Sequence, residues 1–280
     1  MRIFNLFAAG AFLAIAAATP AESQVTANPA VSATTYADAA DLALAASTAA
    51  HVRVRDAVAL KGAQAAGVPA NVARFFIEAD VVSLIKAEGA LPARIRYLAD
   101  LPRDAKGKAP RIKKGTEYVI LGSAVPGRPG ELKLIAPDAQ LPPGEVGRVR
   151  AILREASGAE AAPKITGIGR AFHVPGAIAG ESETQLFLQT EGGDPVSLTV
   201  LRRPGETPQW AVALSEIVDQ AAEPPARDTL LWYRLACGLP RSLPRQSLAE
   251  ADAAGAAAIQ SDYRLILQEL GPCTRSRTRR

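Results

Sequence analysis

The sequence predicts an α+β protein made mainly of antiparallel β structure. One or two small sandwich- or barrel-like modules are expected, with a helix before the strands and a helical segment at the end. Three observations carry this. Runs of alternating apolar and polar residues recur from residue 51 to residue 218. Proline and glycine punctuate nearly every gap between those runs. Both flanks of this region switch to the three-and-four spacing of helices.

The chain opens MRIFNLFAAGAFLAIAAATPAESQ. One arginine, an apolar run and small residues up to Ala21 or Ser23 make a secretory signal, residues 1–23, removed on export. The run is shorter than the roughly 20 residues that span a bilayer. The mature chain is therefore expected to be periplasmic or secreted and not transmembrane. Residues 36–50, YADAADLALAASTAA, read as a helix. HVRVRDAVAL then alternates, with Val52, Val54, Val58 and Leu60 on one face. An unbroken strand would turn Asp56 into that face; a bulge, or an inward charge guarding an edge strand, is the alternative. ARFFIEADVVSLIK puts Phe75, Ile77, Ala79, Val81 and Ile85 on one side, so the two runs form a hairpin.

RIRYLADL, EYVILG and ELKLIA complete a first β module ending near residue 137. A helical linker, 138–163, carries Val146, Val149 and Leu153 at helical spacing before Gly158. ITGIGRAFHV, TQLFLQT, VSLTVLRR and WAVALSEIV make a second module over 164–222. VILGSAVPGRPGELKLIA and VSLTVLRRPGETPQWAVAL share the order strand, Pro-Gly turn, strand, a faint internal echo. Residues 223–274 are helical. DTLLWYRLACG is capped by Asp228 or Thr229 and stopped by Gly238, and SLAE reads as a capping box with Ser247 and Glu250. Ile259, Tyr263, Ile266, Leu267 and Leu270 form a buried helical stripe.

Hydrophobic residues make 48% of the chain and charged residues 21%, a globular balance; 5% aromatic content is too little for the girdles of an outer-membrane barrel. The net charge of +4 equals the four arginines of the tail 275–280, Arg275, Arg277, Arg279 and Arg280. The body is thus neutral, and the tail reads as a solvated end able to touch phosphate or anionic lipid weakly. Cys237 and Cys273 follow two helix ends, and an even count in an exported chain favours their pairing.

The stretch KITGIGRAFHVPG raises the question of a nucleotide or catalytic site. Gly167 and Gly169 lack the third glycine of a dinucleotide loop, since Phe172 stands in its place, and no helix follows. The stretch is expected to be a strand with a glycine bulge entering a Pro-Gly turn, and no nucleotide or other cofactor is expected. His173 reads as a structural strand histidine. The rival is a hydrolase in which His173 works with a nearby acid, Glu181, Glu183 or Asp194, but no GxSxG accompanies it. His51 and His173 are the only histidines and no HExxH spacing exists, so no metal is expected.

VRDAVALKG, RIRYLADLP, FHVPGAIAGESETQ and DTLLWYRLACGLP together resemble a family of exported bacterial proteins of unknown function. The resemblance spans most of the mature chain. It implies export and carries over no activity, ligand or site. The expected role is non-catalytic binding or assembly in the envelope, with an envelope protein or ligand as partner. A hydrolase using His173 and a polyanion binder using the arginine tail are the alternatives.

Overall fold

A helix and a long strand meet where the sequence changes period. In the computed structural model, which describes residues 34–215 and 223–277, α1 spans Tyr36–Ala45. Thr35 caps it, accepting from the Asp38 amide at 3.1 Å. The sequence predicts helix to residue 50, but β1 (Thr48–Ala59) takes the last three. Thr48, Ala49 and Ala50 pair with strands on both sides, and that pairing overrides alanine's helix preference. The signal segment, the last residues of WAVALSEIV, Arg279 and Arg280 lie outside the described residues.

The first sheet closes on itself. β2 (Val72–Ala87), β3 (Arg94–Pro102), β4 (Glu117–Ala124), β5 (Glu131–Leu134) and the short β6 (Gln140–Leu141) join β1 in the order β1-β2-β3-β5-β4-β6. β1 also pairs antiparallel with β4, which completes a barrel of the first five strands. β3 and β5 run parallel; the other pairs are antiparallel. The predicted alternation fills the interior: Val52, Val54, Phe75, Ile77, Ile95 and Tyr97 are buried in one cluster. Each such side chain stabilises the fold by about 1.5–3 kcal/mol.

The pairing register slips between Val54 and Asp56, a bulge that resets the parity of β1. Asp56 is therefore exposed, and Val58, expected on the apolar face, is 50% exposed. Lone burial of a carboxylate would be unfavourable, and the extra residue removes the need. Gly122 marks a close approach of β4 to β5. A Cβ there would lie 2.6 Å from the Lys133 carbonyl oxygen, so only glycine lets β4 meet β5.

α2 (Val146–Ser157) follows a short turn at Pro143–Glu145 and buries Val149, Ile152 and Leu153. The second sheet is an open meander, β10-β9-β8-β7, built from β7 (Ile165–Pro175), β8 (Ser182–Thr190), β9 (Val196–Arg202) and β10 (Gln209–Ala213). β7 carries register shifts just before Gly167 and just beyond Ile168, so the glycine-rich stretch is a bulged strand. The two halves of the internal echo are both hairpins, β4–β5 and β9–β10, yet one sits in a closed barrel and the other in an open sheet.

α3 (Leu230–Gly238) is capped by Thr229, whose hydroxyl accepts from the Trp232 amide. The predicted capping box does not form. Ser247 lies in a one-turn 3-10 segment and its hydroxyl donates to the Ile168 carbonyl. α4 (Ala253–Leu270) starts later, with Asp252 accepting from the Gly255 amide at 2.7 Å. Asp252 wins because it stands directly before the uninterrupted helical run, whereas a loop still separates Ser247 from it. α4 buries Ile259, Tyr263, Ile266 and Leu270 as its spacing predicts, while Leu267 is only partly covered. The four helices, the meander and the outer sides of β1 and β4 share a second core. The described residues from Thr34 onward form one compact unit. Among the described residues no helix is long and apolar enough to cross a membrane.

Candidate functional site

A groove of about 690 Å³ runs over the outside of the barrel. β2 contributes Arg74 and Phe76, β3 contributes Arg96, Leu98 and Asp100, and β5 with the following residues forms the opposite wall to Pro137. Strand alternation explains the lining: inward positions fill the barrel, so their neighbours face out. Phe76 and Leu98 are 38% and 46% exposed, large apolar side chains left in water. Arg74 grips Asp100 with two bonds of 2.7 Å, and Arg128 pairs with Glu131 at 3.2 Å. Arg96 and Lys133 make no ion pair among the described residues. The net result is an apolar pair, Phe76 and Leu98, beside two cations outside any ion pair, with Glu78 and Glu131 next to Arg96 in the ladder.

The loop 103–116 leaves the same end of β3. It carries Arg103, Lys106, Lys108, Arg111, Lys113 and Lys114 against Asp104 alone. The neutral sum of the body therefore conceals a basic segment. A local charge count over RDAKGKAPRIKKGT would have found it, whereas the whole-chain total did not.

His173 stands in β7 and is half-buried. Its Nδ1 lies 2.9 Å from the Thr184 hydroxyl, which donates to Asp262 Oδ2. Asp262 is 1% exposed and also accepts from Arg202 Nε at 2.7 Å. Thr184 has one hydroxyl proton and gives it to Asp262, so it accepts from His173 Nδ1–H, which places the lone pair of a neutral ring on Nε2. None of Glu181, Glu183 and Asp194 bonds to His173. The acid behind His173 is Asp262, 78 residues from Thr184 along the chain, a distance no local pattern reveals. Among the described residues nothing hydrogen-bonds to Nε2. The geometry orients an imidazole and ties β7, β8 and β9 to α4.

Cys237 and Cys273 are bonded, with Cα atoms 5.1 Å apart. Cys237 belongs to the last turn of α3, and Cys273 lies three residues beyond α4. Beyond the bridge the chain is docked, which corrects the expectation of a solvated tail for Arg275 and Arg277. Arg275 donates to Asp41 at 2.7 Å, and Arg277 donates to Asp138 at 2.5 and 2.8 Å. Between them Ser276 gives its amide and hydroxyl to Asp38 at 2.8 and 2.6 Å. Burial pushes the Asp38 carboxyl up, but the Ser276, Thr35 and Arg277 hydrogen bonds outweigh it and hold the group below the usual carboxylate range. The hydrogen bond from Arg277, with its charge, does the same at Asp138. Three aspartates on or near α1 receive this segment, a complementarity between residues more than 130 positions apart.

His51 is tied to Glu117 through Nε2 at 2.9 Å, and Arg53 holds the other Glu117 oxygen at 2.8 Å. No cluster of metal-ligating side chains occurs among the described residues. No family model matches the sequence, and no curated protein matches it.

Proposed function

We propose that this chain is an exported, non-catalytic protein that binds a partner or ligand in the envelope, and that the barrel groove is the binding surface. The single observation that carries the reading is the groove itself: exposed Phe76 and Leu98 lining it together with Arg96 and Lys133, which make no ion pair among the described residues. Water-exposed aromatic and aliphatic side chains beside unused cations are the composition of an unfilled interface. The disulfide is compatible with an oxidising compartment, and the signal-like start with its resemblance to exported proteins supports the same location. Partly open five-stranded Greek-key barrels often take ligands across strands two and three, which is an analogy of fold and not of sequence.

One observation favours the hydrolase reading: the Thr184–Asp262 relay gives His173 a fixed tautomer and a buried acid. It supplies no nucleophile. The tail reading is narrowed, because Arg275 and Arg277 spend their charge on Asp41 and Asp138.

The test is capture from envelope extracts by four immobilised forms of the mature chain: unaltered, Arg96→Glu with Lys133→Glu, His173→Ala, and truncated before Arg275. The groove variant is expected to lose the species that the unaltered chain and His173→Ala both retain. Equal capture by the groove variant would overturn the assignment. Loss only in the truncated form would return it to the tail.

A further inference from the structure

We propose that the groove accepts an extended acidic segment of a partner protein as an added β-strand along the open edge of β3. This rests on the groove being the binding surface and names what fills it.

The edge follows from the ladder. β3 pairs with β2 over its whole length, from Arg94 to Pro102. On its other side it pairs with β5 only at Arg96 and Tyr97. Residues 98–101 therefore have no strand partner on that side among the described residues. The Arg96 amide donates toward β5, to the Gly130 carbonyl at 2.7 Å. In an antiparallel pair the direction of the backbone groups alternates, so Leu98 and Asp100 point the same way as Arg96; the Tyr97–Leu132 pair engages the Leu98 amide, and the Asp100 amide with the Leu98 and Asp100 carbonyls forms the open edge. Pro102 has no N–H and closes the edge. Proteins usually cover, bulge or charge an open strand edge. Here the edge borders the groove, with Leu134, Ile135, Ala136 and Pro137 on the far wall. Of the two carboxylates lining the groove, Asp100 is paired with Arg74 and Glu131 with Arg128.

The side chains state what the added strand carries. Alternate residues of such a strand lie on the outer surface where Arg96, Lys133, Leu98 and Phe76 line the groove. The basic loop 103–116 begins where the edge ends. Acidic residues alternating with apolar ones match this surface, and opposite charge raises both the encounter rate and the selectivity. A strand also satisfies the backbone donors and acceptors of the edge, which is how β-augmentation supplies affinity. A glycan or nucleic acid offers no such ladder, and Phe76 alone is a small stacking platform.

The experiment follows backbone amide shifts of the isotope-labelled mature chain while a blocked peptide of alternating Glu and Val is added. Saturable shifts at Leu98 and Asp100 are expected, with affinity falling at least about tenfold in Arg96→Glu. The same peptide N-methylated at every second amide, and a Lys-Val peptide, are expected not to bind. Equal binding of the N-methylated peptide, or of a sulfated oligosaccharide, at these amides would overturn the added strand. So would the absence of any shift with the Glu-Val peptide. If no peptide binds while the groove variant still fails in extract capture, the groove survives and its occupant is not an acidic strand. Binding by residues 1–33 of a second copy would show as dimerisation of the full chain, and would likewise overturn the partner.

Discussion

The barrel and the meander use their charges in opposite ways. The barrel has an interior without charges, and its outer face keeps Arg96 and Lys133 unpaired beside exposed apolar groups. The meander and its helices draw charges inward. Arg202 reaches a buried Asp262, and Arg275, Ser276 and Arg277 satisfy Asp41, Asp38 and Asp138. A closed ladder satisfies its own backbone, and the barrel's ion pairs, such as Arg74–Asp100 and His51–Glu117, lie on its outer surface without engaging Arg96 or Lys133. The open sheet must be held by its helices, and it is held by hydrogen bonds, ion pairs and a covalent bridge. Internal pairing removes charge from recognition, and this difference is why the groove rather than the tail is the stronger candidate.

The largest expected effect lies in the meander. Asp262→Ala strips Arg202 and Thr184 of their acceptor at once and should destabilise the chain by about 3–5 kcal/mol, read by urea unfolding. A loss below about 1 kcal/mol would mean that the relay does not hold the sheet to α4. Replacing both cysteines with serine should lower stability by about 3–4 kcal/mol, since the bridge closes a loop spanning 36 positions. A smaller loss, with Arg275 still docked, would show that the ion pairs alone secure the end of the chain.

Truncation before Arg275 should come next, at about 2 kcal/mol after allowance for the solvent exposure of its pairs. A solvated tail would leave the melting temperature unchanged, so the same melt decides between the two pictures. The sign of its pH dependence is set by the depressed Asp38 and Asp138 carboxyls. Their contribution is full above the unfolded value of 3.8 and is lost as pH falls through the lower folded values. The gap in melting temperature between full-length and truncated chains should therefore be constant at neutral pH and close in strong acid. A gap that widens on acidification would contradict the assignment. The smallest effect is expected on the barrel. Arg96→Gln with Lys133→Gln, which adds no like charge beside Glu78 and Glu131, should change stability by no more than about 0.5 kcal/mol. A clearly larger loss would mean that these cations have structural partners and are not free for a ligand.

Much of the architecture was legible because it is local. Two-residue alternation placed β1, β2, β3 and the four strands of the meander, and three-and-four spacing placed α2 and α4. The Cys237–Cys273 pair followed from helix ends that bring sulfurs to one edge. Tertiary structure decided the rest. The stop of α1 at Ala45 depends on strands that claim Thr48 from both sides. The bulge before Asp56, the short reach of β5 along β3, and the meeting of Arg275 with Asp41 are all pairings between distant segments. Periodicity records which face of an element avoids water, but it does not record which element will cover that face. The candidate groove exists because one strand is shorter than its neighbour, and a strand's partner is chosen by the whole sheet and not by its own residues.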